Sequence, residues 1–95
     1  MIKTEILIFA RFKETFGEKR TISFSDDDNP TLLGALKKLC EDTKGGYEIL
    51  FDSEGELFES VLLMLNKKRI LGEDTEDMII SDGDEIVLYP PVSGG

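Results

Sequence analysis

The stretch "SDGDEIVLYPPVSGG" occupies residues 81–95, and it holds a turn, a strand and a tail in that order. Asp82-Gly83 is an ordinary turn signal. Residues 85–89 alternate and carry β-branched and aromatic side chains, which predicts a strand. Pro90 and Pro91 lack backbone donors and fix φ, so they end that strand and throw the remainder outward. Pro91, Val92, Ser93, Gly94 and Gly95 then read as a flexible tail reaching about 17 Å when extended. Gly94 and Gly95 carry no side chain, so they can thread a narrow channel in another protein. The expected organisation is a domain over residues 1–90 and a C-terminal diglycine tail over residues 91–95.

Upstream, the same patterning places the rest of the fold. Residues 60–66, "SVLLMLN", predict a strand, and "NKKR" a tight turn returning through Ile70-Leu71. Residues 2–9 predict a first strand, with Ile2, Ile6 and Ile8 on one face and Lys3, Glu5, Leu7 and Phe9 on the other. Residues 11–16 suit a short helical turn ending at Gly17, and residues 20–24 a second strand. Thr31 is a plausible N-cap. Leu32, Leu33, Leu36 and Leu39 follow at helical spacing through Asp42. Cys40 lies beside that stripe and reads as a small core hydrophobe. Gly45-Gly46 is expected to end the helix. "YEILF" (47–51) reads as a short strand or turn, and "DSEGE" (52–56) as a surface turn. One helix cannot cover both faces of such a sheet. The economical layout is an α+β roll: a mixed sheet of four to five strands around one main helix, with one sheet face toward solvent. A ferredoxin-like sandwich needs a second long helix, which the sequence does not offer.

Composition removes many function classes. The 95 residues include 11 Lys and Arg against 20 Asp and Glu, a net charge of −9, which argues against nucleic-acid binding because phosphate contacts need a basic face. No apolar run approaches a membrane span. The start "MIKTEILIFARF" resembles a short signal peptide, but Glu5 interrupts it and no small-residue cleavage site follows, so it reads as the first strand of a cytoplasmic protein. The single cysteine, Cys40, and the absence of histidine fit a reducing compartment and exclude zinc sites built from both residues. They exclude Ser–His and Cys–His catalysis as well. "DDDNP" (26–30) is no calcium loop, since its sixth position is Thr31 and its twelfth is Lys37. No metal site and no catalytic residue is expected in this chain.

What remains is the tail carboxylate. A terminal carboxylate is ionised at neutral pH, its ordinary pKa being about 3.3–3.7, and it is a poor electrophile. Attack on the α-phosphate of ATP turns it into an acyl-adenylate. A sulfur donor then leaves a thiocarboxylate, and a lysine amine leaves an isopeptide. Neither step requires a catalytic group from this chain.

These residues resemble the MoaD/ThiS family of ubiquitin-like β-grasp proteins, and the small archaeal modifier proteins that share its fold and ending. The resemblance rests on "IFARFKETFG" (8–17), "PTLLGALKKL" (30–39), "LMLNKKRI" (63–70) and above all residues 81–95. Within the family the likeness is greatest to the small subunit of molybdopterin synthase. The family often has Asn-Gly where this chain has Asn66-Lys67. The resemblance implies adenylation of Gly95 by a MoeB or ubiquitin-activating type of enzyme that uses ATP and Mg²⁺, with no cofactor bound by this chain. It implies either sulfur delivery through a MoaE-like large subunit to the molybdopterin precursor, or attachment of Gly95 to lysines of target proteins. The free chain is expected to be monomeric. A third alternative, a noncovalent β-grasp interaction module with an incidental tail, stays open at this point.

A docking face follows from the alternation alone. With Ile6 and Ile8 inward, Leu7 and Phe9 face out; with Ile86 and Leu88 inward, Val87 and Tyr89 face out. First and last strands are neighbours in such a roll, so Leu7, Phe9, Val87 and Tyr89 form an apolar patch beside the tail. Arg11 is placed near it, able to pair with a partner acid.

Overall fold

In the computed structural model of the chain, residues 1–25 and 30–90 are described. Strand β1 (Ile2–Ile8) buries Thr4, Ile6 and Ile8 on one face. A 3-10 turn (Ala10–Phe12) and a one-turn helix α1 (Lys13–Phe16) follow, anchored by buried Phe12 and Phe16 four residues apart. Gly17, at φ +84°, makes the left-handed stop that lets the chain return as β2 (Lys19–Phe24).

Helix α2 (Leu32–Glu41) is the main helix. The Thr31 hydroxyl accepts from the Gly34 amide at 3.0 Å, a cap worth about 1 kcal/mol. Leu32, Ala35, Leu36, Leu39 and Cys40 are all buried, the i, i+3, i+4, i+7, i+8 stripe of a helix lying on a sheet. Burial, and secondarily the charge of Glu41, push the Cys40 thiol up to about 12, so this cysteine is a packed hydrophobe.

Two expectations are corrected beyond α2. The helix does not run to Gly45-Gly46; it stops at Glu41 with Asp42 as C-cap. Thr43 donates to the Leu39 carbonyl at 2.8 Å and accepts from Arg20 at 3.1 Å, so side chains close the helix end. Gly45 (φ +78°) instead opens a short helix, α3 (Gly46–Leu50), where a strand or turn is expected. Leu50 and Phe51 are buried and Tyr47 is exposed, with the Tyr47 and Phe51 rings 5.7 Å apart. Gly46 is needed for a close approach: a Cβ there would stand 3.0 Å from both the Cys40 Cα and the Phe16 ring. Only Phe51 retains strand character, in an isolated bridge to Leu57.

Strands β3 (Leu62–Leu65) and β4 (Lys68–Ile70) form the expected hairpin. Its turn residues Asn66 and Lys67 have φ of +50° and +72°, so Lys67 takes a left-handed conformation that ordinarily favours glycine. The Asn66 amide group donates to Asp84 at 2.9 Å, and its oxygen accepts from the Glu85 amide at 2.9 Å. These bonds tie the hairpin to the Asp82-Gly83 turn. A 3-10 turn (Gly72–Asp74) leads back to β5 (Glu85–Tyr89).

The five strands lie in the order β2-β1-β5-β3-β4. The central pair β1 and β5 is parallel, and every other pairing is antiparallel. One face carries α2 over a core that includes Ile6, Ile22, Leu36, Leu63, Ile86 and Leu88. This is the expected β-grasp roll, with five strands. No helix among the described residues is long and apolar enough to cross a membrane.

Candidate docking face and tail exit

The register fixes what shares the uncovered face. Leu7 pairs with Val87 across β1 and β5, and Val87 with Met64 across β5 and β3. Leu7 also faces Lys19 on β2, and Met64 faces Arg69 on β4. One row therefore runs Lys19, Leu7, Val87, Met64, Arg69, apolar in the middle and cationic at both ends. One step along, the Phe9 amide donates to the Leu88 carbonyl at 3.0 Å, which sets Phe9 beside Tyr89. Leu62 pairs with Tyr89 from the other side.

Four of the five patch residues expected from the sequence are thus brought together: Leu7, Phe9, Val87 and Tyr89. They are not equally open. Phe9 is 46 % exposed, while Leu7, Val87 and Tyr89 are half-buried, because side chains in a row across a pleated sheet cover one another. Arg11 lies exposed in the 3-10 turn just after Phe9, against β5. That turn begins at Ala10, whose φ of +55° bends the chain sharply away from β1.

Leu62 and Met64 belong to the same face and were missed by sequence reasoning. Every residue of "LLML" is apolar, so alternation there carries no information about sides. The signal was the pairing with β5, which a tertiary register alone supplies.

The polar margin is of mixed sign. Lys19 reaches Glu5 at 2.7 Å with both side chains about half exposed. The Lys19 ammonium is held above its usual value, first by the hydrogen bond to Glu5, then by the charge of Glu5 and, more weakly, of Glu85. Glu5 and Glu85 are register partners, so Lys19 offsets part of a like-charge contact.

Because β1 and β5 run parallel, their C-terminal ends meet at one edge, and the chain passes Pro90 there. Pro90 is buried. The predicted tail residues Pro91, Val92, Ser93, Gly94 and Gly95 lie outside the described residues. No group of three or more His, Cys, Asp or Glu placed to hold a metal occurs among the described residues.

Strand order, central parallel pair and single covering helix define a ubiquitin-like β-grasp protein of the kind whose apolar sheet face adjoins its C-terminal strand. Residues 6–95 match the ThiS family, and the chain belongs to that family. It is 30 % identical over 94 residues to small archaeal modifier protein 3 of Haloferax volcanii, covering 99 % of this chain and 100 % of that one. It is 30 % identical over 91 residues to a molybdopterin synthase sulfur carrier subunit of Dictyostelium discoideum, covering 96 % and 94 %. Among solved structures, small archaeal modifier protein 1 of Haloferax volcanii superposes with a TM-score of 0.82 at 28 % identity, covering 98 % and 99 % of the two chains. The family is one of ubiquitin-like sulfur carriers and modifiers rather than catalytic enzymes.

Proposed function

We propose that this chain is a carrier activated at the carboxylate of Gly95. A carboxylate oxygen attacks the α-phosphorus of ATP, pyrophosphate leaves, and an acyl-adenylate forms. The catalyst is a MoeB-type activating enzyme that supplies ATP and Mg²⁺. A sulfur nucleophile then displaces AMP and leaves a thiocarboxylate, which a MoaE-like large subunit accepts for molybdopterin synthesis. The observation that carries this reading is the position of β5. It is hydrogen-bonded on both sides, to β1 and β3, so the chain beyond Pro90 starts from a rigid point beside the apolar row. A partner that docks on Leu7, Phe9, Val87 and Tyr89 then finds Pro91, Val92, Ser93 and Gly94 leading toward its own active site. The family match, which runs through residue 95, supports the same end of the chain as the reactive one.

A second reading has its own support. Two of the relatives above are modifier proteins, matched as fully as the sulfur carrier subunit, which supports conjugation of Gly95 to lysines of target proteins as the second reading. Both readings need the same adenylate. Mass spectrometry on the chain from its native host separates them: one terminal oxygen replaced by sulfur marks the carrier, and Gly95 joined to lysines marks the modifier. Deleting Gly95 is expected to abolish ATP–pyrophosphate exchange by the activating enzyme while thermal unfolding stays unchanged. Normal exchange with the truncated chain would overturn both.

A further inference from the structure

We propose that the groove between the 51–61 loop and the turn after β4 is a second docking site, for a segment of a partner protein that carries Lys or Arg among apolar residues. The groove encloses about 820 Å³. Its apolar lining comes from Leu57, Phe58, Val61 and Leu71. Phe58 is 38 % and Leu71 52 % exposed, so the groove presents open apolar surface beside its rim. Its polar lining is acidic: Asp52, Glu56, Glu59 and Glu73. None of the residues lining it is Lys or Arg. A neighbouring hollow of about 670 Å³ shares Asp52 and Phe58 and adds Tyr47, Phe51 and Glu48. The two hollows share Asp52 and Phe58 in their linings, and the second is the more apolar of the two.

The loop is built rather than slack. One Asp52 carboxylate oxygen accepts from the Glu54 and Glu56 amides at 2.9 and 3.0 Å. The Phe58 amide donates to the Leu50 carbonyl at 2.9 Å, and the Val61 amide to the Phe58 carbonyl at 3.1 Å. A pre-formed groove loses less entropy on binding than one that must order.

Charge selects the occupant. A lysine or arginine lays its methylene stem on Phe58 or Leu71 and sends its cationic head to the carboxylate rim, and an arginine adds stacking on the Phe58 or Tyr47 ring. The chain's own residues 91–95 carry no cationic side chain and are a poor match for that rim. A second copy is disfavoured by the net charge of −9 on each. The inference does not rest on activation at Gly95, and its test does not use the tail.

The test is an NMR titration of the full chain, labelled with ¹⁵N, with three synthetic peptides. One alternates Lys and Arg with Leu, one replaces the cations by Glu, and one is tetralysine. The expected result is saturable shifts at the amides of Tyr47, Asp52, Phe58, Leu71 and Glu73 with the first peptide only. Tetralysine should bind at least about tenfold more weakly, since it lacks the apolar contact. Phe58→Ser and the pair Glu56→Lys with Glu73→Lys should each weaken binding at least about tenfold. Glu59→Gln with Glu73→Gln keeps the shape and should cost about threefold, so the test survives a misfolded reversal variant. Equal affinity for tetralysine, shifts spread over the acidic surface or centred on Leu7 and Val87, or unchanged affinity in the variants would each overturn the proposal. Self-association of the free chain that buries Phe58 would overturn it in favour of a second copy.

Discussion

The uncovered sheet face and the groove beside α3 are both apolar at the centre and charged at the margin, but their margins differ. Around Leu7, Val87 and Met64 stand Lys19 and Arg69 at the ends of one row, with Glu5 and Glu85 in the next. Around Phe58 and Leu71 stand only carboxylates. The first surface is an open sheet face partly covered by its own side chains; the second is concave, and each keeps a phenylalanine exposed, Phe9 and Phe58. A net charge of −9 is therefore not a uniform property of this surface. A mixed margin would orient a bound partner, and a single-sign margin would favour a basic one.

The sharpest way to break the comparison is to place a carboxylate in each surface in turn. Phe9→Asp or Tyr89→Asp is expected to weaken association with the activating enzyme by about a hundredfold or more, because it buries an unpaired charge at the docking face. Phe58→Asp should change that affinity less than about twofold. Isothermal titration with the purified enzyme measures both, and equal effects from the two sites would erase the distinction drawn here.

Next in size is a change that disturbs one region and spares the other. Gly46→Ala brings a methyl to 3.0 Å from the Cys40 Cα and the Phe16 ring. Overpacking of this kind costs about 1–3 kcal/mol. Denaturant unfolding should show that loss, and amide shifts should move along α3 and the groove while those of Leu7 and Val87 stay in place.

A third variant acts on the sheet alone. Lys67 sits at φ +72° in the β3–β4 turn, where glycine avoids a steric cost of about 1–2 kcal/mol. Lys67→Gly is expected to stabilise by somewhat less than that, since it also loosens the unfolded chain. A melting temperature that falls would show that the turn is not strained.

The smallest effect concerns the core between the two surfaces. The Cys40 thiol is raised from 9.0 to about 12. The unfolded state then releases its proton first, so Cys40 contributes no pH dependence below about pH 8. Above it, stability falls until the folded thiol also ionises near pH 12. The loss is about 1 kcal/mol at pH 9.5. Cys40→Ala should remove that slope from unfolding curves between pH 8.5 and about 10, measured against the parent chain. A slope that persists unchanged would assign it to other groups.

Much of the fold was legible because its signals are local. The β1 alternation buries Thr4, Ile6 and Ile8, the Thr31 cap and leucine stripe set α2, and Asp82-Gly83 precedes β5. Legibility failed at residues 45–51, where the short run "YEILF", apolar except for Glu48, suits strand and helix equally. Packing decided it: Gly46 begins the helix and lies close against Cys40 and Phe16. The helix end was misplaced for a related reason: glycines were visible, but the Thr43 hydroxyl that closes α2 on Leu39 is held by Arg20, 23 residues away in sequence.

The sequence by itself determined the types of most elements and the inward and outward faces of β1 and β5, and it predicts a flexible tail over residues 91–95. These follow from periodicity, proline and glycine, which act over a few residues. The tertiary structure alone decided that Leu62, Met64, Lys19 and Arg69 share a face with Leu7 and Val87, and that Asp52, Glu56, Glu59 and Glu73 rim one groove. Register and loop packing bring together residues that no local pattern connects, because hydrogen-bond ladders and burial act across space rather than along the chain.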